Sequence, residues 1–259
     1  MSDSEEMLKK AAAQLLAIEN FLGGAFLPAK ANPLPAPAAR QVAQTPRPQA
    51  APTGPAMSRD EKSAALEALS QQIAACRKCS LAADRANPVP GEGNPDAQLV
   101  FVGEAPGADE DRTGHPFVGR AGDLLTKMIA AMGLTRQDVY ICNMVKCRPP
   151  ENRTPTPQEI QACWGHLAAQ LQIIRPRVIV TLGNPATQNL LQTTVGITRL
   201  RGQWQTLGDA IPALAGTPVM PTFHPAYVLR NYSEDTRRKV WSDLQAVMDL
   251  LGLPRPVAG

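Results

Sequence analysis

The residues of this 259-residue chain whose types and spacing can do chemistry are four cysteines, a glycine-rich acidic loop, one asparagine and one histidine. Cys76 and Cys79 form a C-x2-C pair, while Cys147 and Cys163 stand sixteen positions apart. Four thiolates can hold zinc tetrahedrally or a [4Fe-4S] cluster. Zinc ribbons present two close pairs, so the wide second spacing favours a cluster. The fifth cysteine, Cys142, lies inside the apolar run VYICN and reads as an inert buried thiol. The stretch GEAPGADEDRTGHPFVGRAG, residues 103–122, sets permissive glycines among Glu104, Asp109, Glu110 and Asp111. It contains neither the GK-Ser/Thr of a P-loop nor GxGxxG, which argues against a phosphate cradle.

These groups need a scaffold. With 44% apolar residues the chain can bury one substantial core, and a net charge of +3 permits an anionic partner without demanding one. There is no apolar run of about 18 residues, and MSDSEEMLKK lacks the pattern of a secretory signal, so the reading is cytoplasmic with no membrane partner. An odd cysteine count in a reducing compartment argues for metal binding or catalysis over a disulfide framework.

Residues 1–27 include MLKKAAAQLLAIENFLGG, a short amphipathic helical segment that either docks on the main domain or recruits a partner. The Pro- and Ala-rich stretch 28–57 has too little apolar surface to order itself and reads as a linker, which makes the N-terminal extension disordered. The compact domain spans 58–252, opened by the capping box SRDE, and 253–259 is a tail. Within it, the strand patterns LVFVG, VYICN, VIVTLG and TPVMPTF alternate with helices, one of them capped by Thr156, Pro157 and Glu159. This is an α/β fold with a parallel sheet covered on both faces, whose ligand site lies beyond the carboxyl ends of the strands. GEAPG, Asn143, the Gly183–Asn184 pair and HPAYVLR all fall at such ends.

Together CRKC, GEAPGADEDRTGHPFVGRAG, YICNMVKCRPPENRTPTPQEIQAC, ITRLRGQW and FHPAYVLR resemble the family 4, iron–sulfur uracil-DNA glycosylases, over about residues 76–250. The resemblance implies a three-layer α/β/α fold, uracil-DNA glycosylase-like, with a central four-stranded parallel sheet. It also implies a [4Fe-4S] cluster on Cys76, Cys79, Cys147 and Cys163, and removal of uracil from DNA. It favours Glu104 and Glu110 as catalytic carboxylates and makes Asn152 a supporting polar residue. Ala105 stands where other branches of the superfamily carry a catalytic aspartate, which weakens any strict general-base role. A self-crosslinking branch carries a histidine in an added basic loop; the corresponding ITRLRGQW has none, so turnover is expected.

The residues support the same chemistry. Breaking an N-glycosidic bond in DNA requires flipping the nucleotide into a pocket. Gly103 and Gly107 let backbone approach the base, Phe117 offers a stacking surface, and Asn143 offers an acceptor and a donor to the uracil edge. His224 is the donor to the departing O2 anion, a role that a neutral ring can fill. The sugar gains oxocarbenium character, which a carboxylate stabilises while water attacks. Asp109 and Asp111 read as solvated loop residues. Arg199, Arg201 and Arg230 suit DNA contact. The expected partners are uracil-containing DNA and, through the N-terminal segment, a replication or repair protein; the chain itself is expected to be a monomer.

Overall fold

The computed structural model describes Lys9, Gln14, Leu16 and residues 57–255; the rest of the 1–27 segment and the 28–57 linker, and residues 256–259 of the tail, lie outside the described residues. Gln14 is buried and donates from Nε2 to Ala131 O at 3.1 Å.

Helix boundaries follow local chemistry. In α1 (Arg59–Ala75), Ser58 Oγ accepts from Glu61 N and the Glu61 carboxylate accepts from Ser58 N, closing both ends of the predicted capping box. After the short α2 (Leu81–Asp84) and β1 (Glu92–Gly93), the first long strand, β2 (Leu99–Gly103), is buried throughout. The acidic stretch that follows contains an unpredicted short helix, α3 (Ala108–Thr113). Then come α4 (Gly119–Ala131) and β3 (Tyr140–Asn143). Helix α5 (Pro157–Ile174) carries the expected Thr156–Glu159 box with Pro157 in its first turn, where a missing N–H costs nothing. The remaining α-helices and strands are β4 (Val178–Leu182), α6 (Asn184–Leu191), α7 (Ile197–Leu200), β5 (Gln205–Thr206), β6 (Pro218–Thr222), α8 (Pro225–Arg230) and α9 (Glu234–Leu251), with single 3-10 turns at Pro150–Asn152 and Pro212–Leu214.

The sheet order is β1-β3-β2-β4-β6-β5. Its four central strands are parallel, as the resemblance implies, but β1 and β5 add antiparallel pairs at the two edges, so the sheet is six-stranded and mixed. Each edge strand is two residues long, too short to leave an alternating pattern in the sequence, and such short edges limit pairing with other chains. Side chains alternate across the sheet. Phe101, Ile141, Val180 and Met220 pack against α4 and α9 on one face, and Val100, Val102, Ile179 and Val219 pack against α5 and α6 on the other. This is the three-layer α/β/α arrangement. Parallel register sets Gly103 beside Asn143 and Leu182 beside Thr222, so the loops that follow share one edge.

Candidate active site

At that edge lies a pocket of about 580 Å³ whose walls include Glu104, Phe117, Asn143, Asn152, Arg153 and His224. Every predicted pocket side chain is therefore brought together. The pocket is of the size that holds a small planar ligand with its attached groups.

Phe117 is buried and has left-handed backbone (φ 52°), an unfavourable state for an aromatic residue. Two glycines make room for it. A Cβ on Gly122 would overlap the Phe117 carbonyl, and one on Gly103 would lie 2.5 Å from Phe117 Cζ and collide with Asn143 Oδ1. Arg136 holds the turn by donating to Pro116 O at 2.6 Å, to Phe117 O at 3.2 Å and to the Glu92 carboxylate at 2.8 Å. Nothing in the local sequence marked Arg136, because its partners lie ten or more positions away.

Asn143 lines the pocket, is 1% exposed, and its buried Oδ1 has no hydrogen-bond partner. A buried acceptor is normally satisfied, so this one stands ready for a donor from outside the chain. Behind it, Lys146 Nζ donates to the Asn143 main-chain oxygen at 2.7 Å and to Gln170 Oε1 at 2.6 Å.

Across the pocket, His224 caps α8: its Nδ1 accepts from Ala226 N at 3.1 Å. A ring nitrogen that accepts bears no proton, so the neutral imidazole carries its hydrogen on Nε2. Desolvation, with the charge of Arg230, pushes the His224 pKa down to about 4 and keeps the ring neutral near pH 7. Its centroid lies 5.5 Å from that of Phe117 at a 32° tilt. Gly183 lets it approach, since a Cβ there would come within 2.9 Å of His224 Cβ.

The carboxylates divide sharply. Glu104 is half-buried in the wall, where desolvation raises its pKa and a hydrogen bond with Thr154 partly opposes the shift. Glu110 accepts from Gly107 N and Val118 N, both at 3.0 Å, so both of its oxygens clamp the loop that carries Phe117. Asp109 is exposed beside Arg112, as expected. Asp111 corrects its expectation: it is 8% exposed and accepts from Ala86 N at 3.1 Å, tying the segment after the C-x2-C pair to α3. A helix at this point turns the third acidic residue inward, which a loop reading could not show. Asn152 lies at the pocket rim with φ 56°, its Oδ1 accepting from Arg148 Nε at 2.8 Å.

Of the three arginines expected to meet DNA, Arg199 and Arg230 are exposed. Arg201 is instead turned inward: it pairs with the buried Asp243, which also accepts from Thr222 Oγ1 at 2.6 Å, and donates to Lys239 O at 2.7 Å. Its guanidinium lies 5.5 Å from the Phe223 ring centroid. Arg201 and Asp243 thus hold the turn that leads from β6 into His224.

The four candidate metal cysteines line a second pocket with Arg85, Lys146 and His166, and all are free thiols. Arg85 Nη1 donates to Cys147 Sγ at 3.0 Å and Lys146 N to Cys163 Sγ at 3.3 Å. Burial raises the pKa of Cys147 and takes that of Cys163 to about 11. Among the described residues no set of three His, Cys, Asp or Glu side chains is gathered closely enough to hold one metal ion. Cys142 is fully buried in β3, as expected of an inert thiol. Glu159 links the two pockets: it accepts from Ser80 Oγ at 3.1 Å, next to Cys79, and from both Arg153 Nη atoms at 2.9 and 2.8 Å.

Comparison with known proteins agrees with this geometry. The family model of the uracil DNA glycosylase superfamily matches residues 90–245. The chain is 51% identical over 181 residues to a type-4 uracil-DNA glycosylase of Thermotoga maritima, covering 70% of this chain and 91% of the relative. Identity to a type-4 uracil-DNA glycosylase of Archaeoglobus fulgidus is 46% over 199 residues, 74% of this chain and 96% of the relative. A type-5 uracil-DNA glycosylase of Thermus thermophilus is 36% identical over 157 residues, 48% of this chain and 71% of that one. The chain belongs to the uracil DNA glycosylase superfamily, among its type-4 uracil-DNA glycosylases.

Proposed function

We propose that the protein hydrolyses the N-glycosidic bond of deoxyuridine in DNA, releasing uracil and leaving an abasic site. The observation that carries this reading is the unpartnered, buried Oδ1 of Asn143, a residue that lines a pocket with an aromatic wall and a neutral histidine. A flipped uracil stacked on Phe117 would give its N3–H to Asn143 Oδ1 and receive the Asn143 amide N–H at O4. Cytosine presents a lone pair at N3 and a donor at C4, so both contacts become repulsive. As the bond from C1′ to N1 breaks, its electron pair leaves with uracil, and His224 Nε2–H donates to the charge that collects on O2. Glu104, ionised, stabilises the oxocarbenium sugar and orients the water whose oxygen bonds to C1′. The water proton goes to solvent and uracil N1 regains one in turn. Glu110 supports this step by holding the Gly107–Val118 loop, Gly103 leaves room for Phe117 and Asn143, and Ala105 and Asn152 shape the pocket wall and rim. Arg199 and Arg230 neutralise phosphates.

Cys76, Cys79, Cys147 and Cys163 hold a [4Fe-4S] cluster in this reading. Its support is that all four border one pocket and that backbone and guanidinium N–H groups already point at two of the sulfurs. Such a cluster would supply a cross-link between the end of α1, the loop after β3 and α5; hydrolysis itself needs no electron transfer. The enzyme acts as a cytoplasmic monomer, and the N-terminal amphipathic segment recruits a replication or repair protein.

The test is release of free uracil from a uracil-containing oligonucleotide under multiple turnover. Stable DNA binding without release would overturn the catalytic reading in favour of a DNA-binding module.

A further inference from the structure

Two buried side-chain atoms among the described residues have no hydrogen-bond partner: Asn143 Oδ1 in the base pocket and His166 Nε2 in the cysteine pocket. The first is accounted for by the substrate. The second needs its own explanation, since a buried ring nitrogen without a partner is a cost that folded proteins seldom leave standing.

His166 is 7% exposed and sits on α5, three positions after Cys163 and therefore on the same helix face. It borders the pocket that Cys76, Cys79, Cys147 and Cys163 share. Two of the cations that border this pocket are engaged elsewhere. Lys146 Nζ is used by Asn143 O and Gln170 Oε1, and Arg85 by Cys147 Sγ and the carbonyls of Ala74 and Cys76. Neutral or protonated, an imidazole can present an N–H at Nε2. A neutral imidazole carries one N–H. A centre made of thiolates and sulfides offers acceptors only, so the proton belongs on the nitrogen that faces it.

We propose that His166 Nε2–H donates a hydrogen bond to a sulfur of the iron–sulfur group held by the four cysteines, as a fifth protein contact that tunes the group and retains it. The inference rests on the cluster reading given above. A donor aimed at sulfur stabilises the more negative, reduced state, so it raises the reduction potential; it also takes the place of water at that sulfur and slows loss of the group.

The experiment begins with iron and acid-labile sulfide in the purified wild-type chain, followed by the midpoint potential of wild type and of His166→Phe. The variant is expected to keep equal iron and sulfide and wild-type uracil release, with a potential shifted to more negative values and faster bleaching by a chelator. His166→Gln, which can present an amide N–H, is expected to recover part of the shift. As a measurement on the unmutated protein, pulsed paramagnetic resonance of the reduced cluster with 15N-labelled histidine should show coupling to one imidazole nitrogen. That coupling decides the matter if His166→Phe fails to fold or to retain iron. A wild-type chain with zinc or no iron overturns both the cluster reading and this one. A cluster-bearing wild type without nitrogen coupling, or with a potential unchanged in His166→Phe, overturns this inference alone.

Discussion

The base pocket and the cysteine pocket are built from the same strand end, yet they are opposite kinds of site. Asn143 ends β3 and Cys147 follows four residues later, with Lys146 between them touching the Asn143 carbonyl. The base pocket is made of strand ends and glycines, and its unsatisfied atom is an acceptor, Asn143 Oδ1. The cysteine pocket is made of the end of α1, the loop after β3, the body of α5 and several cations, and its unsatisfied atom is a ring nitrogen, His166 Nε2. The first arrangement suits a visitor that must enter, be read and leave; the second suits a resident group that the fold encloses. The difference shows that an unpartnered buried atom gains meaning from its neighbours, since the same kind of deficit points to a substrate in one place and to a cofactor in the other.

The largest expected effect separates the two sites completely. His224→Ala removes the donor to the departing anion, and loss of one such donor lowers kcat by roughly 10²–10³-fold. Single-turnover uracil release should fall by that factor, while DNA affinity and the visible absorbance of the cysteine centre stay at wild-type values. A change in absorbance would mean that the two sites are not independent in this direction.

Glu159 tests the opposite case, because it belongs to both. Its carboxylate is 4% exposed and accepts from Ser80, Arg153 and Thr156 N, and Arg153 hydrogen bonding holds its pKa down at about 2. Glu159→Ala should cost about 1–2 kcal/mol in urea unfolding, because it removes half of the capping box of α5 and the partner of an arginine that is itself exposed. Unlike His224→Ala, it should also speed loss of the cysteine-bound group and weaken uracil release. A stability change with neither secondary effect would show that the link does not couple the pockets.

Glu104 offers a smaller, pH-dependent test confined to the base pocket. Its raised pKa means that it takes up a proton at a higher pH than an ordinary carboxylate, and the charge needed opposite the sugar is then lost. The release rate should therefore fall as pH drops through a point above the usual glutamate range. Glu104→Gln should abolish that acid limb and lower the plateau. A wild-type rate that is flat across this range would remove Glu104 from the reaction.

Much of this organisation was legible along the chain, and what was not shares one physical cause. The capping boxes at Ser58 and Thr156 depend on residues three positions apart, so they can be read directly. The four parallel strands announce themselves as apolar runs, and their carboxyl ends locate Asn143 and His224. Asp111, Arg136, Lys146 and Arg201 were missed or misassigned because their roles depend on which way a side chain turns after distant elements pack. Asp111 meets Ala86 only once α3 forms, and Lys146 meets Gln170 only once α5 lies over the sheet. A charged residue in a polar stretch reads as solvated unless something distant meets it.

Arg201 and Arg230 turn that lesson into the finest test. Both were expected to meet DNA, but Arg230 is exposed at the pocket rim, whereas Arg201 is paired with Asp243 beneath the turn that carries His224. A phosphate contact releases about one counterion, so Arg230→Ala should lower the slope of log K against log salt by about 1 and leave the unfolding midpoint in place. Arg201→Met should do the reverse, leaving the salt slope unchanged and destabilising the fold by exposing Asp243 as an unpaired buried charge. Equal salt-slope losses in the two variants would return Arg201 to the DNA surface. The expected split instead makes one arginine part of the surface that meets the visitor and the other part of the frame that holds His224 in place.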